Sequence, residues 1–285
     1  MSQAAPNRIA LLNPGEMGAA VGAVLKTRGF DVVWASAGRS AATRQRAQQA
    51  GLRDAGSTAD ALRGADLALS IVPPHAALDL ARQVAALGFK ATYLDANAIS
   101  PETAREVGRI VAAAGAHFVD GGIIGGPPQQ GSVTRLYLAG ESAQSLAAAF
   151  DTDSLQVRAL EGAIGAASAL KVAYAAWSKG SIALLAAIRS FAQAEGVESA
   201  LLDEWQRSQP GIAERSAAVA GSARKAWRWV AEMEEIAASL VAHGLPAGFH
   251  AGAADIYARL GEFKDVASAP DIVTVLDAIT GHTGE

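Results

Sequence analysis

Through its first half the chain alternates short apolar runs with longer stretches of helical period. The runs at 8–12, 31–35, 67–72, 91–94 and 117–119 have strand length, and 17–27, 41–50, 58–62, 76–86 and 102–114 between them read as helices. Serine or proline precedes several of these helices, as capping and first-turn geometry favour. A strand at 134–139 and a helix at 142–150 complete the series. Strand and helix in alternation predict βαβ units on a parallel sheet. After Gly162 the strand-length runs stop and alanine-rich stretches of 3.6-residue period take over. There 165–194 reads as one long helix, and Trp229, Met233, Ile236 and Leu240 form an apolar stripe on another. The pattern predicts an α/β domain with a parallel, doubly wound sheet over 1–162 and an all-α domain over 163–285.

Composition narrows the partners. At 285 residues and 51% hydrophobic content the chain can build two cores. Its 24 Lys and Arg against 28 Asp and Glu create no strong field for nucleic acid or an anionic membrane, so the expected partner is a small molecule. The absence of cysteine excludes a thiolate nucleophile and a cysteine-ligated metal, and fits a cytoplasmic location. No signal-peptide pattern opens the sequence, and the apolar stretch 181–188 is too short for a membrane span. His75, His117, His243, His250 and His282 are scattered without ligand spacing, so no metal site is expected. A helical domain this thin predicts a homodimer formed through it.

The chemistry starts at 13–18, where Asn13-Pro14-Gly15-Glu16-Met17-Gly18 links the first strand to the first helix. Glycines there let backbone approach a pyrophosphate seated on the helix N-terminus, the Rossmann arrangement, although Asn13 stands where the usual pattern has its first glycine. An ordinary tight turn is the competing reading. The end of the second strand lacks the acidic residue that holds the ribose of NAD, which favours NADP while leaving NAD open. Arg39 can pair with a 2′-phosphate, and Ser36 and Ser40 can donate to it.

At Gly15-Glu16-Met17-Gly18, Val72-Pro73-Pro74, Asp95-Ala96-Asn97 and Asp120-Gly121-Gly122-Ile123-Ile124-Gly125-Gly126, followed by Gly165 to Lys171, the chain resembles the β-hydroxyacid dehydrogenase and 6-phosphogluconate dehydrogenase superfamily. Its second half is similar to a branch with a phosphogluconate-dehydrogenase-like C-terminal domain of its own. The resemblance implies cofactor contacts at Val72, Pro73 and Asn97, a substrate loop at Gly122, Ile123, Ile124, Gly125 and Gly126, and Lys171 as proton donor and acceptor. Chemistry agrees, because hydride leaving an alcohol carbon requires a base for the hydroxyl proton. Ser168, Tyr174 and Ser178 share the helix face of Lys171 and are expected in the substrate pocket. Two positions depart from the pattern: Tyr174 replaces an asparagine, which changes the hydrogen-bonding partner of the lysine, and Ile124 replaces a serine, which points to a larger or more apolar ligand.

Other residues read as structural. Glu232 and Glu235 are expected to pair with Arg228 and solvent, Trp205, Trp227 and Trp229 to serve core or dimer interface, and His75 to open a helix. The expected function is an NADP-preferring oxidoreductase interconverting an alcohol and a carbonyl. The alternatives are an imine reductase-like enzyme and a catalytically inactive NADP(H)-binding sensor.

Overall fold

The computed structural model describes residues 6–129, 131–264 and 266–281, so His282 lies outside the described residues. Two compact units emerge, Met1–Val172 and Ala173–Glu285. The first unit carries strands β1 (Arg8–Leu11), β2 (Asp31–Trp34), β3 (Arg53–Asp54), β4 (Leu67–Ser70), β5 (Thr92–Asp95), β6 (His117–Ile124), β7 (Thr134–Ala139) and β8 (Leu155–Ala159). Interleaved with them are α1 (Glu16–Thr27), α2 (Ala41–Gln49), α3 (Thr58–Leu62), α4 (Ala77–Ala86), α5 (Pro101–Ala113) and α6 (Ala143–Phe150).

All the strands join one sheet in the order β3-β2-β1-β4-β5-β6-β7-β8. Alternate residues serve opposite faces. Ile9 and Leu11 pack with Val21 and Leu25 of α1 and Leu146 and Phe150 of α6. Ala10 and Leu12 pack with Leu80 and Val84 of α4 and Val107 and Val111 of α5. Helices on both faces make the sheet doubly wound, and the reversal falls between β1 and β4, where open α/β sheets bind ligands at the carboxyl ends of the strands.

The sheet is not wholly parallel. β7 runs antiparallel to β6, pairing Asp120 with Ala139 and Ile124 with Arg135. The expected glycine-rich loop is therefore strand as far as Ile124, with β7 as its hydrogen-bonding partner. The first unit runs to Val172, beyond the expected boundary at 162, because α7 (Ala166–Ser178) begins on β6, to which its first turn is hydrogen bonded.

The second unit holds the rest of α7 with α8 (Gly180–Ala194), α9 (Glu198–Ser208), α10 (Pro210–Ala226), α11 (Trp229–Ala242), α12 (Gly248–Arg259) and α13 (Ile272–Thr280). α8 packs against α9, α10, α12 and α13. The helix expected over 165–194 is interrupted at Lys179. Its carbonyl accepts from Tyr257 Oη at 2.7 Å, and its ammonium is paired with the buried Glu232. Trp205 is core, Trp227 is exposed, and Trp229 meets Tyr257 edge to face at 5.1 Å. A mostly apolar cavity of ≈ 1080 Å³ opens between α8, α10 and α12, lined among others by Trp177, Leu184, Ile212, Arg215 and Phe249.

Candidate active site

The cofactor candidates gather along the carboxyl edge of the sheet in the first unit. Gly15 is the N-cap of α1 and provides no side-chain cap, whereas Ser40, Ser57 and Ser100 cap α2, α3 and α5. A helix start without a side-chain cap suits an anionic ligand, since first-turn amides and the helix dipole both favour one. Gly18 is required by close approach, because a Cβ there would lie 2.3 Å from the carbonyl oxygen of Asn13. Glu16 is exposed, and Met17 packs against the core. Asn13 connects strand ends: its Nδ2 reaches Ile71 O of the β4 end at 3.5 Å, and its Oδ1 accepts from Arg39 at 3.3 Å. These residues fit a dinucleotide.

Arg39 is not a solvated loop residue. It also donates to Leu12 O at 2.9 Å, and Arg46 donates to Pro14 O at 3.2 Å, so two guanidinium groups brace the turn from the α2 side. Only two of the five N–H groups of Arg39 are used in these contacts. Ser40 accepts from Thr43 N as the α2 cap. Ser36 is turned to Asp54 at the end of β3, and this side-chain hydrogen bond, with amides of Gly56 and Ser36, holds Asp54 below the usual carboxylate range. Arg44 lies close by, donating to Ser36 O at 3.4 Å.

At the ends of β4 and β5, Asn97 is buried and heavily engaged. Its Nδ2 donates to Ser70 Oγ at 3.0 Å and to Asp95 Oδ2 at 2.7 Å, while its Oδ1 accepts from Val72 N at 2.6 Å. Asn97 shapes the strand ends, and both of its amide protons are spent on protein. Pro73 is exposed and opens a short 3-10 turn, Pro74–Ala76, that contains the exposed His75.

Asp95 and Asp120 face each other in register on β5 and β6. Burial pushes Asp95 up to about 7, with bonds from Asn97 opposing and the neighbouring Asp120 adding to the rise. Asp120 is also pushed up by burial, while bonds from Ser168, Ala167 and Gly165 pull it back. Sequence reasoning quoted both aspartates only as motif letters. Their polarity, Asp95 at the end of β5 and Asp120 in the middle of β6, within otherwise apolar runs was the available signal.

Of the substrate candidates, Gly122, Ile123 and Ile124 are buried in β6, and Ser168 is 1% exposed with its Oγ donating to Asp120 Oδ1 at 2.6 Å. Gly125 and Gly126 are exposed, at the turn into β7. Lys171 is partly exposed; one turn on, Tyr174 is 51% exposed, and Ser178 follows on the same helix. Lys171, Gly125, Gly126 and Tyr174 are thus accessible, whereas Ser168 and the isoleucines are not. Among the described residues no group of three or more His, Asp or Glu is placed to hold a metal, and no helix is long and apolar enough to cross a membrane.

Comparison with known proteins agrees with this fold. Residues 8–151 match the NAD binding domain of 6-phosphogluconate dehydrogenase, and residues 192–260 match a domain of unknown function, DUF1932. An uncharacterized 28.5 kDa protein of Methanothermus fervidus is 26% identical over 196 residues, 69% of this chain and 75% of that protein. A solved conserved protein of unknown function, described as structurally similar to 3-hydroxyacid dehydrogenases, is 26% identical at a TM-score of 0.67, with 90% of this chain and 97% of that one covered. The Mycobacterium tuberculosis 3-hydroxyisobutyrate dehydrogenase shares the fold at 20% identity and a TM-score of 0.73, covering 96% and 99% of the two chains. A Streptomyces aurantiacus imine reductase shares it at 19% and 0.57, covering 95% and 98%. With a glycine turn at the β1–β4 reversal and a family match over 8–151, the chain belongs to the family of the NAD binding domain of 6-phosphogluconate dehydrogenase and is an NAD(P)-dependent oxidoreductase.

Proposed function

We propose that the protein is an NADP-preferring oxidoreductase that interconverts an alcohol and a carbonyl, with Lys171 as acid and base. The observation that carries this reading is the position of Lys171, a partly exposed amine on a helix that starts against β6, in the same unit as the uncapped α1 turn. A bound nicotinamide supplies the hydride acceptor or donor. Lys171 Nζ takes the hydroxyl proton during oxidation and returns a proton to the carbonyl oxygen in the reverse direction. The amides at the start of α1 receive the pyrophosphate. Arg39 and Arg44 supply positive charge for a 2′-phosphate, with Ser40 beside them, while Ser36 is committed to Asp54.

Tyr174 favours a second reading. A half-exposed phenol one turn from the lysine offers another proton donor, as the reduction of an imine to an amine needs. A homodimer through the helical unit is part of the proposal, supported by the exposure of Trp177 (67%) and Phe249 (77%) at one apolar cavity.

The test is fluorescence titration with NADPH and NADH, followed by turnover on short 3-hydroxyacids with NADP+ and on ketones and cyclic imines with NADPH. NADPH is expected to bind more tightly than NADH, Arg39→Ala to remove that preference, and Lys171→Ala to lower turnover by about 10²–10⁴-fold. Wild-type turnover in Lys171→Ala with loss in Tyr174→Phe selects the imine reading. Binding of NADPH with no turnover on the panel selects a sensor.

A further inference from the structure

The helix that carries Lys171 begins after Gly165, which has no side chain with which to cap it. Asp120, on β6, supplies one from 45 to 48 positions earlier in the chain: its Oδ2 accepts from Gly165 N at 2.9 Å, Ala167 N at 2.9 Å and Ser168 N at 3.2 Å, and its Oδ1 accepts from Ser168 Oγ at 2.6 Å. A carboxylate receiving several amides at a helix N-terminus is held by charge-assisted bonds and by the helix dipole together.

Gly122 lies two residues along β6 and so on the same face of the strand as Asp120. A Cβ at Gly122 would lie 2.5 Å from Ala167 O and 3.1 Å from Lys171 Cβ, so α7 touches the strand backbone there. Ala167, Ser168 and Lys171 occupy one helix face at three- and four-residue spacing, and that face is seated on Asp120 at one point and Gly122 at the next. The two contacts fix both where the first turn begins and how the helix is rotated about its axis. A rotation that broke the Asp120 bonds would swing Lys171 away from Gly122.

We infer that Asp120 is the positioning residue for Lys171, acting through Ser168 and the first-turn amides of α7 to hold the lysine at the carboxyl edge of the sheet. The inference rests on the reading of Lys171 as the acid and base, but the placement of the amine can be measured without a substrate.

The experiment uses the full chain and compares wild type with Asp120→Asn and Ser168→Ala. Asparagine keeps the volume but replaces one acceptor oxygen with a donor facing amides, and alanine removes only the 2.6 Å hydroxyl bond. Each protein is acetylated with a limiting amine reagent across a pH series, and the rate at Lys171 is read by mass spectrometry beside Lys26 and Lys90 of the same unit. Asp120→Asn should raise the Lys171 rate at least fivefold and Ser168→Ala about twofold to threefold, with Lys26 and Lys90 unchanged and NADPH affinity within twofold of wild type. Turnover on any panel substrate should fall at least tenfold in Asp120→Asn, in kcat rather than in the KM for NADPH. An unchanged Lys171 rate in folded Asp120→Asn overturns the inference; if that variant does not fold, an unchanged rate in Ser168→Ala does so. A shifted Lys171 rate accompanied by full activity in Lys171→Ala upholds the positioning role and overturns the catalytic reading instead.

Discussion

Buried charge is handled differently in the two units. In the first, Asp95 and Asp120 are like charges in register on neighbouring strands, each met by amides or hydroxyls rather than by a cation. In the second, buried charges come in opposite pairs, Lys179 with Glu232 and Arg189 with Glu198, the latter at 2.7 Å. Paired ions satisfy one another and leave little to respond to a ligand or to pH. Two carboxylates sharing a desolvated region hold a proton within reach of neutral pH, as the position of Asp95 at about 7 reflects. The first unit keeps like carboxylates side by side inside the sheet; the second uses charge as a fastener and leaves aromatic surface uncovered.

The strongest way to break this comparison is at the turn. Gly18→Ala places a methyl 2.3 Å from the Asn13 carbonyl and displaces the start of α1, so NADPH affinity is expected to fall about a hundredfold, the scale of a displacement of about 1 Å in a binding geometry. Wild-type affinity in a fluorescence titration would remove the turn from the cofactor site. Glu232→Gln should act on stability alone. It deprives Lys179, whose side chain is 20% exposed, of its carboxylate. Calorimetry should show a loss of about 2–3 kcal/mol, below the range for fully buried pairs, with NADPH affinity unchanged.

The carboxylate pair sharpens the contrast through pH. The folded value of Asp95 lies above its ordinary value of 3.8, so the native state binds the extra proton and stability declines as pH rises from about 4 towards 7. Between pH 5 and 7 the decline should be about 2 kcal/mol, and Asp95→Asn should flatten it. Asp54, Asp60 and Asp271 are shifted down and act oppositely, losing their contribution only below about pH 4. A flat melting curve over pH 5–7 in wild type would mean that the pair is hydrated. The smallest effect on folding is expected from Trp177→Ser with Phe249→Ser, within about 0.5 kcal/mol as for other exposed positions. Sedimentation should nevertheless shift towards monomer; an unchanged sedimentation coefficient would show that this surface does not join two copies.

Much of the first unit was legible because its signals are local. Apolar runs of strand length, separated by helical periods with serine caps, located β1, β2, β4 and β5 and the helices between them. β3 is two exposed residues, Arg53 and Asp54, with no apolar pattern to read. β8 does alternate, with Leu155 and Val157 inward, yet it is short and follows a helix that already seemed to close the series. The length of β6 was hidden because Gly121 and Gly122 are poor strand residues on propensity; close packing against α7 and pairing with β7 override it. At the helix break Lys179 meets Tyr257 and Glu232, 78 and 53 residues away, contacts that no local period encodes. In the site, the glycine turn and Lys171 were readable as motif, whereas the commitment of Ser168 to Asp120, of Ser36 to Asp54 and of Asn97 to Asp95 was not. Side-chain allegiance is decided by which strand ends become neighbours.

The capping of α7 by a residue on β6 also makes the start of that helix depend on distant chain. Between Asp120 and the amides of Gly165, Ala167 and Ser168 that it accepts from, the chain forms β7 antiparallel to β6 and β8 beside β7. The first turn of the lysine helix is therefore held by a contact that closes a loop of 45 to 48 residues, which costs more chain entropy than a local cap. Loosening β6 would therefore release the start of the helix that carries Lys171, even with every local contact of that helix intact.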